Sequence, residues 1–241
     1  MPCLLTGAKQ RRKPCLVSAA AALLDRLGHP GTVRLGTTSA GRVARLTTGL
    51  SVLDAVLEGG LPRGRVTELA GARSAGRTGL ACRIAASATN AGETIAWVDP
   101  DDALDPEAAS AAGVTLARTL WVRPRDVAGA FGAAEILLGA GGFGLVVLDL
   151  GSQPDGATRS TSWMRLARAA ERTRSTLLVL TAASQTGTCA ALRLELTGRR
   201  ARWSSGPGRR VLLDGVTARL TVARSRGGGA GRSLVVRQAC A

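Results

Sequence analysis

Aromatic residues are scarce in this 241-residue chain, which has four Trp, two Phe and no Tyr. A core built on rings is excluded, and few side chains remain on which a nucleic-acid base could stack. Histidine occurs once, at His29. The five cysteines (Cys3, Cys15, Cys82, Cys189, Cys240) are scattered, with no CxxC pair. That pattern argues against a zinc centre or a disulfide framework and fits a reducing cytoplasm. No apolar run is long enough to span a bilayer, and residues 1–17 lack the continuous apolar core of a signal peptide. Lysine is limited to Lys9 and Lys13, so arginine carries almost all of the positive charge.

What is present is aliphatic and basic. Hydrophobic residues make up 45% of the chain, enough for a sizeable core of Ala, Leu and Val. The net charge of +15 is uneven: residues 1–47 carry +7, residues 48–158 carry −5 and residues 159–241 carry +13. Two basic ends around an acidic middle favour contact with nucleic acid or an acidic protein surface. The competing reading is an Arg-rich face that is merely solvated.

One stretch carries most of the chemistry: Gly71-Ala72-Arg73-Ser74-Ala75-Gly76-Arg77-Thr78, followed by Gly79. A phosphate-binding loop needs two glycines so that backbone N–H groups can turn inward onto phosphate oxygens. It also needs a Lys for the β and γ phosphates and a hydroxyl for Mg²⁺. Gly71, Gly76 and Thr78 meet the pattern, and Arg77 stands in place of the Lys. The surroundings are those such a loop requires, with a short strand over Val66–Ala70 before it and a helix from Gly76 to about Asn90 after it.

The periodicity of the rest predicts strands over 94–98, 120–122, 144–149 and 176–180, with helices over 108–112, 127–138 and 162–173. Four short strands then follow, over 191–196, 210–213, 218–223 and 233–237, in antiparallel pattern, with Gly227–Gly231 as a hairpin loop. Asp99, Asp101 and Asp102 end one apolar strand and Asp149 ends another. Carboxylates there suit Mg²⁺ binding or activation of water, although turn and cap roles account for Asp99–Asp102 equally. Towards the N-terminus a basic tail (Lys9, Arg11, Arg12, Lys13) precedes a short helix over 19–27. The organisation expected is a basic arm with a helix over 1–46 and a core over 47–241. The core is an α/β fold of mostly parallel strands flanked by helices, with antiparallel strands at the C-terminal edge.

Three further segments give the motif a family. Thr48-Gly49-Leu50-Ser51-Val52-Leu53-Asp54, Gly59-Gly60-Leu61-Pro62-Arg63-Gly64-Arg65 and Trp97-Val98-Asp99-Pro100-Asp101-Asp102-Ala103-Leu104-Asp105-Pro106, together with the loop, resemble bacterial RecA recombinases. The resemblance spans roughly 45–240 and is most specific over 48–106. It implies a P-loop NTPase core with ATP and Mg²⁺ as the nucleotide and ion, neither of them required. Gly71 to Gly79 would form the nucleotide cradle, with Thr78 and Asp149 towards the metal.

Departures fall at working positions. Asp101 matches the family's catalytic Glu with a shorter reach. Ala182 stands at the γ-phosphate-sensing Gln, with Gln185 displaced from it. Segments 151–158 and 182–189 are too short for both DNA-binding loops, and no separate C-terminal DNA-binding domain is expected after the core. Arg224 and Arg226 match basic positions that reach a neighbouring subunit's nucleotide. This combination resembles the ImuA group, the degenerate RecA-like proteins of inducible (SOS) mutagenesis cassettes. That resemblance implies a non-catalytic adaptor in error-prone translesion synthesis. Its partners would be an ImuB-like pseudo-polymerase, a DnaE-type polymerase and RecA, with non-specific electrostatic binding to DNA and assembly into homo-oligomers. Two alternatives stay open: a slow DNA-dependent ATPase, and a SulA-like cell-division inhibitor.

Overall fold

Alternating strands and helices build a parallel sheet, because each return to the same edge needs a crossover of helical length. That is how residues 66–181 are arranged in the computed structural model, which describes residues 43–151, 160–204 and 212–239. All of these lie in one compact unit, Val43–Ala241. The basic tail and the helix expected over 19–27 lie outside the described residues.

Arg45–Leu46 (β1) pairs antiparallel with Leu61–Pro62 (β2), around helix Ser51–Val56 (α1). Asp54 fixes the entry to this helix, its Oδ1 accepting both the amide and the hydroxyl of Thr48 at 2.8 Å. Next come Val66–Gly71 (β3), Arg77–Asn90 (α2), Thr94–Val98 (β4), Pro106–Ala111 (α3), Thr119–Val122 (β5), Val127–Ala140 (α4) and Phe143–Asp149 (β6). Ser160–Thr173 (α5), Thr176–Thr181 (β7), Ala190–Ser204 (β8), Leu212–Ser225 (β9) and Ser233–Ala239 (β10) complete the order. Cap chemistry sets several boundaries. Asp105 accepts the amides of Glu107 and Ala108 ahead of Pro106, and Asp126 accepts the amide of Gly129.

The strands form one eight-stranded sheet, in the order β10-β9-β8-β3-β7-β6-β4-β5. From β8 to β5 all neighbours are parallel, while β8–β9 and β9–β10 are antiparallel. The fold is therefore the mostly parallel α/β sheet with an antiparallel C-terminal edge that the pattern predicts. Two apolar layers sandwich it. One packs Leu53, Leu80 and Ile84 of α1 and α2 onto Leu69, Trp97, Val147 and Leu180. The other packs Ala134, Leu138, Trp163 and Leu166 of α4 and α5 onto Val66, Val98, Val146 and Val179, with Phe131 and Trp163 edge to face at 4.7 Å.

The C-terminal edge departs from expectation. One strand, β9, covers the described part of the two read over 210–213 and 218–223; residues 210 and 211 lie outside the described residues. Asp214, which looks like part of a turn, is an extra residue in a bulge between the pairs Trp203↔Leu213 and Arg202↔Gly215. Strand β8 likewise runs on to Ser204, past an irregularity between Thr197 and Arg200. Trp203 is 58% exposed, whereas Trp163 is buried.

Candidate functional site

The loop from Gly71 to Gly79 leaves the buried central strand β3 and enters α2, at the carboxyl ends of the strands where open α/β sheets bind ligands. Gly71 is tightly placed: a Cβ there would lie 3.1 Å from both the Leu196 carbonyl oxygen and Leu196 Cβ. Ser74 (φ 60°) and Gly76 (φ 97°) adopt left-handed conformations, which turn the backbone around the loop. The Ala75 amide donates to the Ala72 carbonyl at 3.0 Å, and Arg199 donates to the Arg73 carbonyl at 3.1 Å, pinning the loop to β8. Ala72, Arg73, Ser74, Thr78 and Gly79 are exposed, whereas Ala75 is buried. Helix α2 has no side-chain cap at Gly76 and no acidic residue in its first turn. Its N-terminal amides and dipole suit an anion.

Arg77 does not reach out of the loop. Its side chain is buried and donates from Nη1 to the Gly151 carbonyl, 3.1 Å away at the tip of β6. The Gly151 amide in turn donates to Asp149 Oδ1 at 2.9 Å. Gly151 has φ 52°, and a Cβ on it would lie 2.1 Å from Asp101 Oδ2, so a larger residue would displace the Asp101 carboxylate. Gly151 thus links Arg77, Asp149 and Asp101. The sequence reading missed this hub because a glycine after an apolar strand looks like any turn.

Charge in this corner is poorly solvated. Burial lowers the pKa of Arg77, against the opposing attraction of Asp149. Burial raises the Asp149 carboxyl to about 6; the Gly151 amide and Arg77 pull it down, while Asp99 and Asp101 push it up. Asp99 is fully buried. Its Oδ2 accepts the Leu104 amide at 2.8 Å, and its Oδ1 has no partner among the described residues. Among the described residues no three His, Cys, Asp or Glu side chains converge as a metal cage would.

These residues fit a bound nucleotide and its ion only in part. The loop backbone and a helix start with no acidic residue in its first turn suit phosphate. The metal half does not suit Mg²⁺ with Arg77 in this position, because a protein cation already sits in the field of Asp149.

A second polar cluster lies on β3, behind the loop. Glu68 is fully buried and accepts five hydrogen bonds: from the Gln185 and Thr186 amides (2.6 and 3.0 Å), the Ser184 and Thr186 hydroxyls (3.0 and 2.8 Å), and Arg193 Nε (2.9 Å). Burial pushes its carboxyl up, but the bonds from Gln185, Thr186 and Arg193 outweigh that and hold it below its ordinary value. Arg193 and Arg224 also donate to the Gly187 carbonyl, and Arg226 to the Thr188 carbonyl at 2.7 Å. The segment after β7, which contains Ala182 and Gln185, is therefore gripped from below and from the side. A charged residue inside an otherwise buried strand was the available sign of this cluster.

Comparison with known proteins agrees with the geometry. The RecA N-terminal domain family matches residues 15–153. RecA of Clavibacter michiganensis is 37% identical over 139 residues, which are 57% of this chain and 38% of that protein. RecA of Deinococcus radiodurans is 38% identical over 145 residues, 60% of this chain and 40% of that protein. The chain thus spans about two fifths of the length of these relatives. In three dimensions it is similar to the crystal structure of the RadB recombinase, with a TM-score of 0.62 at 20% identity, over 80% of this chain and 95% of that one.

Proposed function

The chain belongs to the RecA N-terminal domain family, and from that premise we propose that it is a non-catalytic member, an ImuA-type adaptor or regulator in damage-induced, error-prone translesion synthesis. In this role it holds or regulates an ImuB-like pseudo-polymerase and a DnaE-type polymerase, and it meets RecA and DNA. The N-terminal arm over 1–46 and the core over 47–241 are its two parts. Arg224 and Arg226 are the residues that would approach a neighbouring copy's nucleotide where copies assemble.

The placement of Arg77 is the observation that supports loss of catalysis. A phosphate-loop Lys serves as a compact charge at the β and γ phosphates, whereas a guanidinium is wide and planar. Here it is buried and bound to the Gly151 carbonyl. Asp101 is a shortened carboxylate, and Ala182 has no group with which to sense a γ phosphate. Phosphoryl transfer depends on such parts acting together, so losing three of them costs more than any one.

Phosphate release from ATP, measured with and without single-stranded DNA, tests this reading. We expect no DNA stimulation from the parent protein and none from Arg77→Lys. Robust turnover by Arg77→Lys would mean that a single part was lost and the remainder works. The glycine-rich loop backbone at the start of α2 favours one second reading, a slow DNA-dependent ATPase. DNA-stimulated release by the parent protein would establish it.

A further inference from the structure

The outer face of the antiparallel edge concentrates positive charge in a definite pattern. Along β9 and β10 the inward residues Ala218, Leu220, Val222 and Val236 are buried, so the alternating residues Thr217, Arg219, Thr221, Val235 and Arg237 point the other way. Register places Arg200 of β8 opposite Thr217, and Thr217 opposite Arg237, in one row across three strands. The next row is Thr197, Arg219 and Val235. Arg202 lies two residues beyond Arg200 on the same side of β8. At strand spacing, Arg200 and Arg237 stand about 10 Å apart at Cα, with Arg219 diagonal to both.

All four arginines are exposed, and none forms an ion pair with an acidic group among the described residues. Elsewhere Arg63, Arg123, Arg165 and Arg193 each meet a carboxylate. On this face the one carboxylate among the paired positions is Glu195, one row from Arg219 and two from Arg200; Asp214, exposed in the bulge, lies beside the Arg202 row without pairing. Like charges crowded on a sheet repel one another, and the phosphates of a polyanion laid across them relieve that repulsion while the polyanion releases its own counterions.

We propose that this face, formed by Arg200, Arg202, Arg219 and Arg237, is a docking surface for the phosphodiester backbone of nucleic acid. Recognition is by charge alone. Of the hydroxyls between the guanidiniums, Thr217 donates to the Arg200 carbonyl and Thr221 and Ser233 bond to each other, so the arginines carry the contact to phosphate oxygens. No aromatic ring stands in these rows, and Trp203 lies on the opposite side of the hairpin with Leu213. Bases are therefore left unread, and single-stranded and duplex DNA compete for the same face. The proposal rests on the reading that the protein meets DNA, and it does not depend on the state of the nucleotide site.

Fluorescence anisotropy with a labelled oligo-dT and a labelled duplex, at 50 and 200 mM NaCl, tests it on the full chain. The triple change Arg200→Gln, Arg219→Gln, Arg237→Gln should weaken binding at least about tenfold at the lower salt. It should also lower the slope of log K against log salt by about three. A control that removes three exposed charges from elsewhere (Arg83→Gln, Arg168→Gln, Arg174→Gln) should bind within about threefold of the parent, and Trp203→Ala should change nothing. If the control loses as much as the face variant, net charge and not this surface is responsible, and the proposal fails. If the parent binds and the face variant binds equally, the face is again wrong while DNA binding stands. If the parent binds neither oligonucleotide at 50 mM salt, the broader DNA reading falls with it. Coincident thermal melts of all the variants guard against unfolding.

Discussion

Asp149 and Arg77 lie in each other's field, yet neither is well served by the pairing. The carboxyl stands at about 6 against an ordinary 3.8 because burial penalises its charge more than Arg77 and the Gly151 amide reward it. An unfolded chain ionises this group first as pH rises. Its contribution to stability is therefore fully present below pH 3.8, falls as pH climbs to about 6, and stays lost at neutrality. The shift corresponds to at most about 3 kcal/mol. Asp149→Asn keeps an acceptor for the Gly151 amide and removes the buried charge. We expect urea denaturation at pH 7 to show a gain of about 1–3 kcal/mol, with the pH dependence between 4 and 6 flattened. A variant less stable than the parent at pH 7 would show that attraction to Arg77 outweighs burial.

Among the elements, the short connection after β7 is held by a single buried side chain, Glu68. Two amides, two hydroxyls and Arg193 converge on that carboxylate, and charge-assisted bonds of this kind are individually stronger than neutral ones. Glu68→Gln turns an amide group towards these donors and should destabilise by about 3 kcal/mol or more. Because the native pKa of Glu68 is depressed, its contribution is present above pH 4.5 and lost as pH falls further. Hydrogen exchange should show Gln185 and Thr186 losing protection in the variant while the β6 amides keep theirs. Unchanged protection at 185 and 186 would show that the segment is held by something other than Glu68.

Most elements were legible because their periods are unambiguous. Thr94–Val98 matches its predicted bounds, and most other helices and strands up to β7 differ by one or two residues at an end. The edge strands were not, since Asp214-Gly215 carries the chemistry of a turn and only a neighbouring strand makes it a bulge. The loop and its carboxylates were legible as residue types at fixed spacings. Arg77's direction was not, because a long side chain can leave the loop in several ways and only the fold brings Gly151 within reach. Glu68 was visible as a polar residue in an apolar strand, but its partners lie more than a hundred residues away.

At the scale of the molecule, the adaptor role carries a definite consequence for how the 71–79 loop and the protein's partners are coupled. In a working RecA-like switch, ATP and its ion bias the assembly, so partner affinity differs between nucleotide states by the free energy that couples the two sites. Here Arg77 is buried in the field of Asp149 and bound to the Gly151 carbonyl, so on the adaptor reading Mg²⁺ and ATP offer little differential interaction with which to move an equilibrium. Co-purification of the full chain with the pseudo-polymerase and the DnaE-type polymerase should therefore give the same yield in ATP with Mg²⁺, in ADP, and in EDTA. Arg77→Ala should leave that yield unchanged as well, since its side chain is turned inward and away from any partner. A several-fold change between nucleotide conditions that Arg77→Ala abolishes would show a live switch and overturn the adaptor reading. Failure to capture either polymerase under any condition would instead remove the translesion role while leaving the fold and the family intact.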